Sequence, residues 1–446
     1  MSARRATAGL TLLLAAAVAL AAPLSAQASP IKHVVIVYQE NHSFDNVFGR
    51  FCVQTGRCNG SLYGKRPGHP QVPLKRATDF VPPVGHTPNE QVRAINGGRM
   101  DGWDTIYGCD KQYGYACMTQ FWPGQIPNLT NLARRFVIAD HTFQMDTIPS
   151  WGAHIELVAA DLDGFTGINP MPGLVEHARG WGCDSNKDAT WQAAPSSTPI
   201  AVPSCIPDFS LDPVEYPYGG AYRATPVEHV PTIMDELDAA GLSWKLYSTS
   251  TTKNGYSWAI CPTFAGCLYT AQHDNSVPRS QVLGDAKRGD LPAFSVVLPD
   301  GTVSQHNKYS MAAGDNWIGR VVSAIENGPD WGSTAIFITY DDCGCFYDHV
   351  RPPAGLGFRV PTVIVSPYAK PSYTDSRRAE IPSFLSFTEH TFGLPALSTE
   401  DAAAYDFSKA FDFEQTPVGP ARMTRGAIPR SERDRIKRAY HRDGAT

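Results

Sequence analysis

His33-Val34-Val35-Ile36-Val37-Tyr38 runs straight into Gln39-Glu40-Asn41-His42-Ser43-Phe44-Asp45. The apolar run is β-branched and does not alternate with polar residues, so it reads as a strand buried on both faces. Runs of the same kind follow at Trp244 to Ser248, Ala293 to Leu298 (AFSVVL), Thr334 to Tyr340 (TAIFITY) and Val360 to Ser366 (VPTVIVS). Helical patterns lie among them. Pro231 to Ala240 has proline near its start and Gly241 just past its end, and Trp317 to Glu326 has apolar positions three and four apart. Strands and helices in this alternation predict an α/β fold with a largely parallel central sheet and helices on both faces.

The strand ends share a habit. HVVIVY leads into Gln39-Glu40-Asn41, AFSVVL into Pro299-Asp300, and TAIFITY into Asp341-Asp342. Open α/β sheets bind ligands outside the carboxyl ends of their strands. Carboxylate and amide oxygens gathered there suit one divalent cation, such as Mg²⁺, Ca²⁺, Mn²⁺ or Zn²⁺. Taken singly, each acid also reads as a cap for a turn or for the next helix.

Two longer stretches make the reading specific. Glu40-Asn41-His42-Ser43-Phe44-Asp45 followed by Gly49 resembles the ENRSFD…G signature of the bacterial phosphoesterase family of phospholipases C and acid phosphatases. Tyr340-Asp341-Asp342-Cys343-Gly344-Cys345-Phe346-Tyr347-Asp348-His349-Val350 resembles that family's YDE-x-GG-F-x-DHV segment. Asp146-Thr147-Ile148-Pro149 is similar to its T-x-P-N-R nucleophile segment, and Ser304-Gln305-His306-Asn307 to its D-E-H-P segment. The resemblance implies an alkaline-phosphatase-like fold and metal-dependent hydrolysis of phosphate esters through a phosphothreonine intermediate. Phospholipase C action on a glycerophospholipid comes first, acid phosphatase action on monoesters second, and an inactive surface-binding relative third. It also implies roles: Glu40, Asn41, Thr147, Asp341 and Asp342 toward the metal; Thr147, His306 and His349 in catalysis; Asp348 and Trp151 toward substrate. Thr147 also reads as a turn threonine, and His306 as a surface histidine. Departures stand out: His42 replaces the arginine, Ser150-Trp151 replaces Asn-Arg, and Cys345 breaks the Gly-Gly pair.

The rest of the chain bounds the setting. Arg4 and Arg5, an apolar stretch from Leu10 to Ala22, and Ala26-Gln27-Ala28 predict a signal peptide over residues 1–28 and a secreted or cell-envelope protein. A catalytic domain over 29–421 and a charged tail over 422–446 complete the division. Ten cysteines in an exported chain predict disulfides. Nearest-neighbour pairing would tie long loops at Phe51 to Pro127 and Gly164 to Val227, but would force a very small ring on Cys343 and Cys345. The net charge of −5 and the lack of a long basic run outside the tail disfavour nucleic acid as a partner. Trp103, Tyr107, Trp122 and Trp151 flank the motif loops; they either meet a lipid surface transiently or pack the loops.

Overall fold

A computed structural model describes residues 29–443 except 173–177, 217–224 and 252; the expected signal peptide lies outside the described residues. Eight strands form the central sheet: β1 (His33–Gln39), β2 (Val137–Ala139), β3 (Trp244–Ser248), β4 (Ser276–Pro278), β5 (Phe294–Val297), β6 (Thr334–Tyr340), β7 (Thr362–Val365) and β8 (Thr374–Asp375). Their spatial order is β4-β3-β5-β1-β6-β7-β2-β8. All neighbours pair in parallel except at β7, which is antiparallel to both β6 and β2.

β1 sits in the middle, in register with β5 through Val34 opposite Phe294 and with β6 through His33 opposite Thr334. Val34 to Val37 are fully buried, and every residue of β6 is buried. Successive side chains point to opposite faces, so both faces of the sheet are covered. Full burial of each such aliphatic side chain contributes about 1.5–3 kcal/mol, so a polar substitution at Ile36 would cost several times an average mutation.

The covering helices are α1 (Pro127–Arg135), α2 (Ser150–Ala159), α3 (Ile233–Ala239), α4 (Gln281–Arg288), α5 (Met311–Glu326) and α6 (Pro382–Phe392). Helices α1 and α4 pack on α5, whereas α3 and α6 pack on α2. The α5 helix starts six residues before the expected Trp317, because Ser310 caps it by accepting from the Ala313 N–H. The tail is pinned at its start: Ala421 N donates to Glu326, Thr424 N to Asn128 and Gly426 N to Asn316.

Four of the expected cysteine pairs are bonded: Cys52–Cys58, Cys109–Cys117, Cys183–Cys205 and Cys261–Cys267. Cys343 and Cys345 are buried thiols with sulfurs 2.8 Å apart. No helix among the described residues is long and apolar enough to cross a membrane.

Candidate active site

Strands β1 and β6 are neighbours, so their carboxyl ends deliver Gln39-Glu40-Asn41 and Asp341-Asp342 side by side. Asn41 adopts φ 61°, which turns the chain so that its N–H donates to Asp341 Oδ1 at 2.7 Å and its amide reaches Asp342 Oδ1 at 2.9 Å. Gly344 N donates to the same Asp342 oxygen at 2.6 Å. Only glycine fits there: φ is 49°, and a Cβ would lie 2.1 Å from the Asn41 carbonyl oxygen.

Helix α2 completes the cluster. Its apolar length is buried throughout, and Tyr38 of β1 fixes it by donating to the Ala153 carbonyl at 3.1 Å. Its first residue, Ser150, puts a hydroxyl 3.4 Å from Asp342 Oδ2. One turn on, His154 donates from Nδ1 to the Ser150 carbonyl at 2.7 Å. The donated proton fixes the tautomer, so in the neutral ring Nε2 carries a lone pair. Burial lowers the pKa of His154 and favours that neutral form. Yet Nε2 lies 3.3 Å from Glu40 Oε1.

A lone pair facing a carboxylate is repulsive unless a proton or a metal cation stands between them. Ligand atoms of Glu40, His154 and Asp341 lie within 4.8 Å of one another. Glu40 Oε1 and Oε2, Asn41 Oδ1, Asp341 Oδ2 and His154 Nε2 are all buried without a hydrogen-bond partner. Burial first, and the neighbouring acids second, push Glu40 and Asp341 upward in pKa; burial brings Asp342 to about 7. Buried polar atoms are normally satisfied, and this donor set, rich in oxygen with one imidazole, fits a divalent cation.

Two further histidines border Asn41. His86 donates from Nδ1 to the Val84 carbonyl and turns Nε2 toward the Asn41 amide at 3.0 Å. His306 donates from Nδ1 to the Asn307 carbonyl, with its ring 6.2 Å from His86 and 5.4 Å from Trp258. Burial and the His86 charge push the His306 pKa down to about 3, so it is neutral across the physiological range.

The expected residues therefore divide. Glu40, Asn41, Asp341 and Asp342 come together. Thr147 is only half-buried, and its hydroxyl makes no hydrogen bond with them among the described residues; its N–H donates to Asp146 Oδ1. Trp151 is 1% exposed and packs edge-on against Phe165, inside the protein rather than at its surface. Asp348 and His349 join Asp45 and the fully buried Arg359: Arg359 donates to Asp348 twice at 3.0 Å, and His349 Nδ1 lies 2.5 Å from Asp45. Asp300 pairs with Arg279 and caps the turn at Gly301–Val303. His42 lies among Phe121, Tyr340 and Phe346, so no charged group replaces the missing arginine at that position. From the sequence Ser150 stands out only as a departure from the family's asparagine, His154 reads as a structural residue of its helix, and His86 is not singled out. The spacing of Ser150 and His154, four apart on an apolar helix, was the available signal, since such residues share a face.

A helix-terminal hydroxyl beside a cluster of buried carboxylates is an arrangement that hydrolases can use. The Phosphoesterase family profile matches residues 31–395, and the chain belongs to that family. It is 24% identical to the non-hemolytic phospholipase C of Burkholderia pseudomallei, over 81% of this chain and 55% of that protein. The values for phospholipase C A of Mycobacterium tuberculosis are 24%, 89% and 80%. For the non-specific phospholipase C1 of Arabidopsis thaliana they are 25%, 87% and 72%. The chain thus spans about half the length of the first of these relatives. Among solved structures, an alkaline phosphatase superfamily protein from Vibrio parahaemolyticus is 14% identical, with a TM-score of 0.37 over 86% of this chain and 72% of its own.

Proposed function

We propose that this protein hydrolyses phosphate esters, with a divalent cation at Glu40, Asn41, His154, Asp341 and Asp342 and with Ser150 as the nucleophile in place of Thr147. The observation that carries the reading is the set of unpartnered buried ligand atoms beside a helix-terminal hydroxyl. When bound, the cation would lower the pKa of a nearby hydroxyl and balance charge on the phosphoryl oxygens. Asp342 Oδ2 orients the Ser150 hydroxyl and takes its proton as Ser150 Oγ attacks phosphorus, and the bond from phosphorus to the leaving oxygen breaks as the phosphoserine forms. The N-terminus of α2 favours negative charge there. His306 is neutral with its proton on Nδ1, so its Nε2 can only accept; it orients the water that protonates the leaving oxygen. Water then attacks phosphorus and frees Ser150.

Similarity to three phospholipases C favours a glycerophospholipid substrate, with phosphomonoesters second. The test compares wild type, Ser150→Ala and Thr147→Ala on phosphatidylcholine and on p-nitrophenyl phosphate, before and after chelation. Ser150→Ala and chelated wild type should each lose ~10²-fold or more, with Thr147→Ala near wild type. Mass spectrometry of quenched wild type should find phosphate on the peptide carrying Ser150. Phosphate on Thr147 would return the role to that residue, and full activity of Ser150→Ala would remove Ser150 from the chemistry.

A further inference from the structure

From Asn46 to Thr78 the chain contains no aspartate or glutamate, yet it carries Arg50, Arg57, Lys65, Arg66, Lys75 and Arg76, within a protein of net charge −5. Arg57 turns inward and donates to backbone oxygens of Ala133, Arg134, Phe136 and Tyr373. The others gather around an antiparallel strand pair, Tyr63–Arg66 with His69–Pro73. Side chains alternate across such a pair. Gly64 faces Met118 and Tyr347 of the body so closely that a Cβ would lie 2.4 Å from the Met118 Cε. Tyr63 and Lys65 consequently point outward and are exposed, as is Pro73, which pairs with Tyr63. Lys75 continues that outward side, two residues on from Pro73, whereas its strand neighbour Arg76 points to the other side and lies over Trp122, which is 40% exposed.

We propose that this basic segment, centred on Tyr63, Lys65 and Lys75, docks the protein onto an anionic lipid surface. Spaced cations without intervening carboxylates complement lipid phosphates, and a partly exposed tyrosine suits the membrane–water boundary. The aromatic geometry argues against nucleic acid. Single-stranded bases stack on runs of free ring faces, whereas Arg50 and Arg76 already lie over the Trp122 ring, 4.6 and 5.1 Å from its centroid, and Arg66 lies 3.8 Å over Tyr115, which leaves Tyr63 as a single exposed ring on this segment and no run of them. The segment is tied to the catalytic loop through Asn46, which contacts His42 and donates to Thr119 O. The purpose of docking rests on the phosphate-ester reading, since a membrane is where a phospholipid head group is met; the docking itself does not.

The experiment sediments the Ser150→Ala protein, which leaves lipid intact, with vesicles of phosphatidylcholine alone or mixed with phosphatidylglycerol. Binding should favour the mixed vesicles and weaken with salt. It should fall about fivefold for each cation removed, hence about 25-fold in Lys65→Gln/Lys75→Gln. The same pair of substitutions in the active protein should leave turnover of p-nitrophenyl phosphate unchanged, showing an intact fold. Equal binding to both vesicle types, binding to neither, an unaffected double variant, or capture of single-stranded RNA in place of vesicles would each overturn the proposal. Residual turnover in Ser150→Ala would instead strike the nucleophile assignment and leave the vesicle comparison standing.

Discussion

Two buried clusters, built from the same two stretches of chain, treat their carboxylates in opposite ways. Glu40 and Asp341-Asp342 form one; Asp45, Asp348 and His349, a few residues further along each stretch, form the other. In the second, Arg359 is fully buried, contacts Asp348 at 3.0 Å and Asp45 at 3.4 Å, and gives its remaining donors to the Asn59 and Asp140 carbonyls at 2.8 Å. In the first, the nearby nitrogen base is His154, which presents a lone pair. Where the chain supplies its own cation, acids become a clasp holding the two stretches together. Where it withholds one, the same residue types are left short of positive charge and ready for a metal.

Removing the built-in cation should have the largest effect on stability. Arg359→Met leaves Asp45 and Asp348 buried without their partner, and urea unfolding should show a loss of about 3–5 kcal/mol. A loss below about 1 kcal/mol would erase the contrast between the clusters. Next comes supply of the missing cation. Mg²⁺, Mn²⁺, Ca²⁺ or Zn²⁺ added to chelated wild type should stabilise it by about 2.7 kcal/mol at a hundredfold excess over Kd. Glu40→Gln/Asp341→Asn should abolish that gain; a gain that survives would move the metal to the Asp45 cluster. Smaller still, Glu40→Gln alone should raise the stability of chelated protein by about 1 kcal/mol while lowering turnover, since it removes one of several crowded acids. A destabilised chelated variant would mean that Glu40 is already satisfied without metal.

The sheet centre was legible because β1 and β6 are long, β-branched and buried on both faces, which is a signal carried within each segment. Strand direction is not carried there. Burial of Val363 to Val365 looks the same for a parallel or an antiparallel strand, so the reversal at β7 was invisible, and Val137–Ala139 is too short to show a period. The four acidic and amide residues of the site were readable because each closes a strand. Ser150 and His154 sit instead on a buried helix, where polar residues four apart share a face but core residues show the same spacing, and His86 arrives from a separate loop. The basic segment escaped for a related reason: its cations are dispersed among neutral residues, and only the folded strand pair turns Lys65 outward beside Tyr63.

The smallest test concerns the clasp's own titration. Burial pulls the His349 pKa down, but the hydrogen bond and charge of Asp45, with Asp348 adding to them, outweigh burial and Arg359, and the result is a raised pKa. A histidine with a raised folded-state pKa stabilises the protein fully below its unfolded value of about 6.5 and loses that contribution as pH rises through the folded value. Through His349 alone, wild type should therefore lose on the order of 1 kcal/mol or less on going from mildly acid to mildly alkaline pH, because the ring is partly exposed, in addition to what Asp342 at about 7 loses in the same window. His349→Gln can still bond Asp45 but cannot titrate, so its urea-unfolding profile should be flatter across that window. An equally steep profile in His349→Gln would assign the pH dependence to another group and leave Arg359 as the cation that holds the clasp.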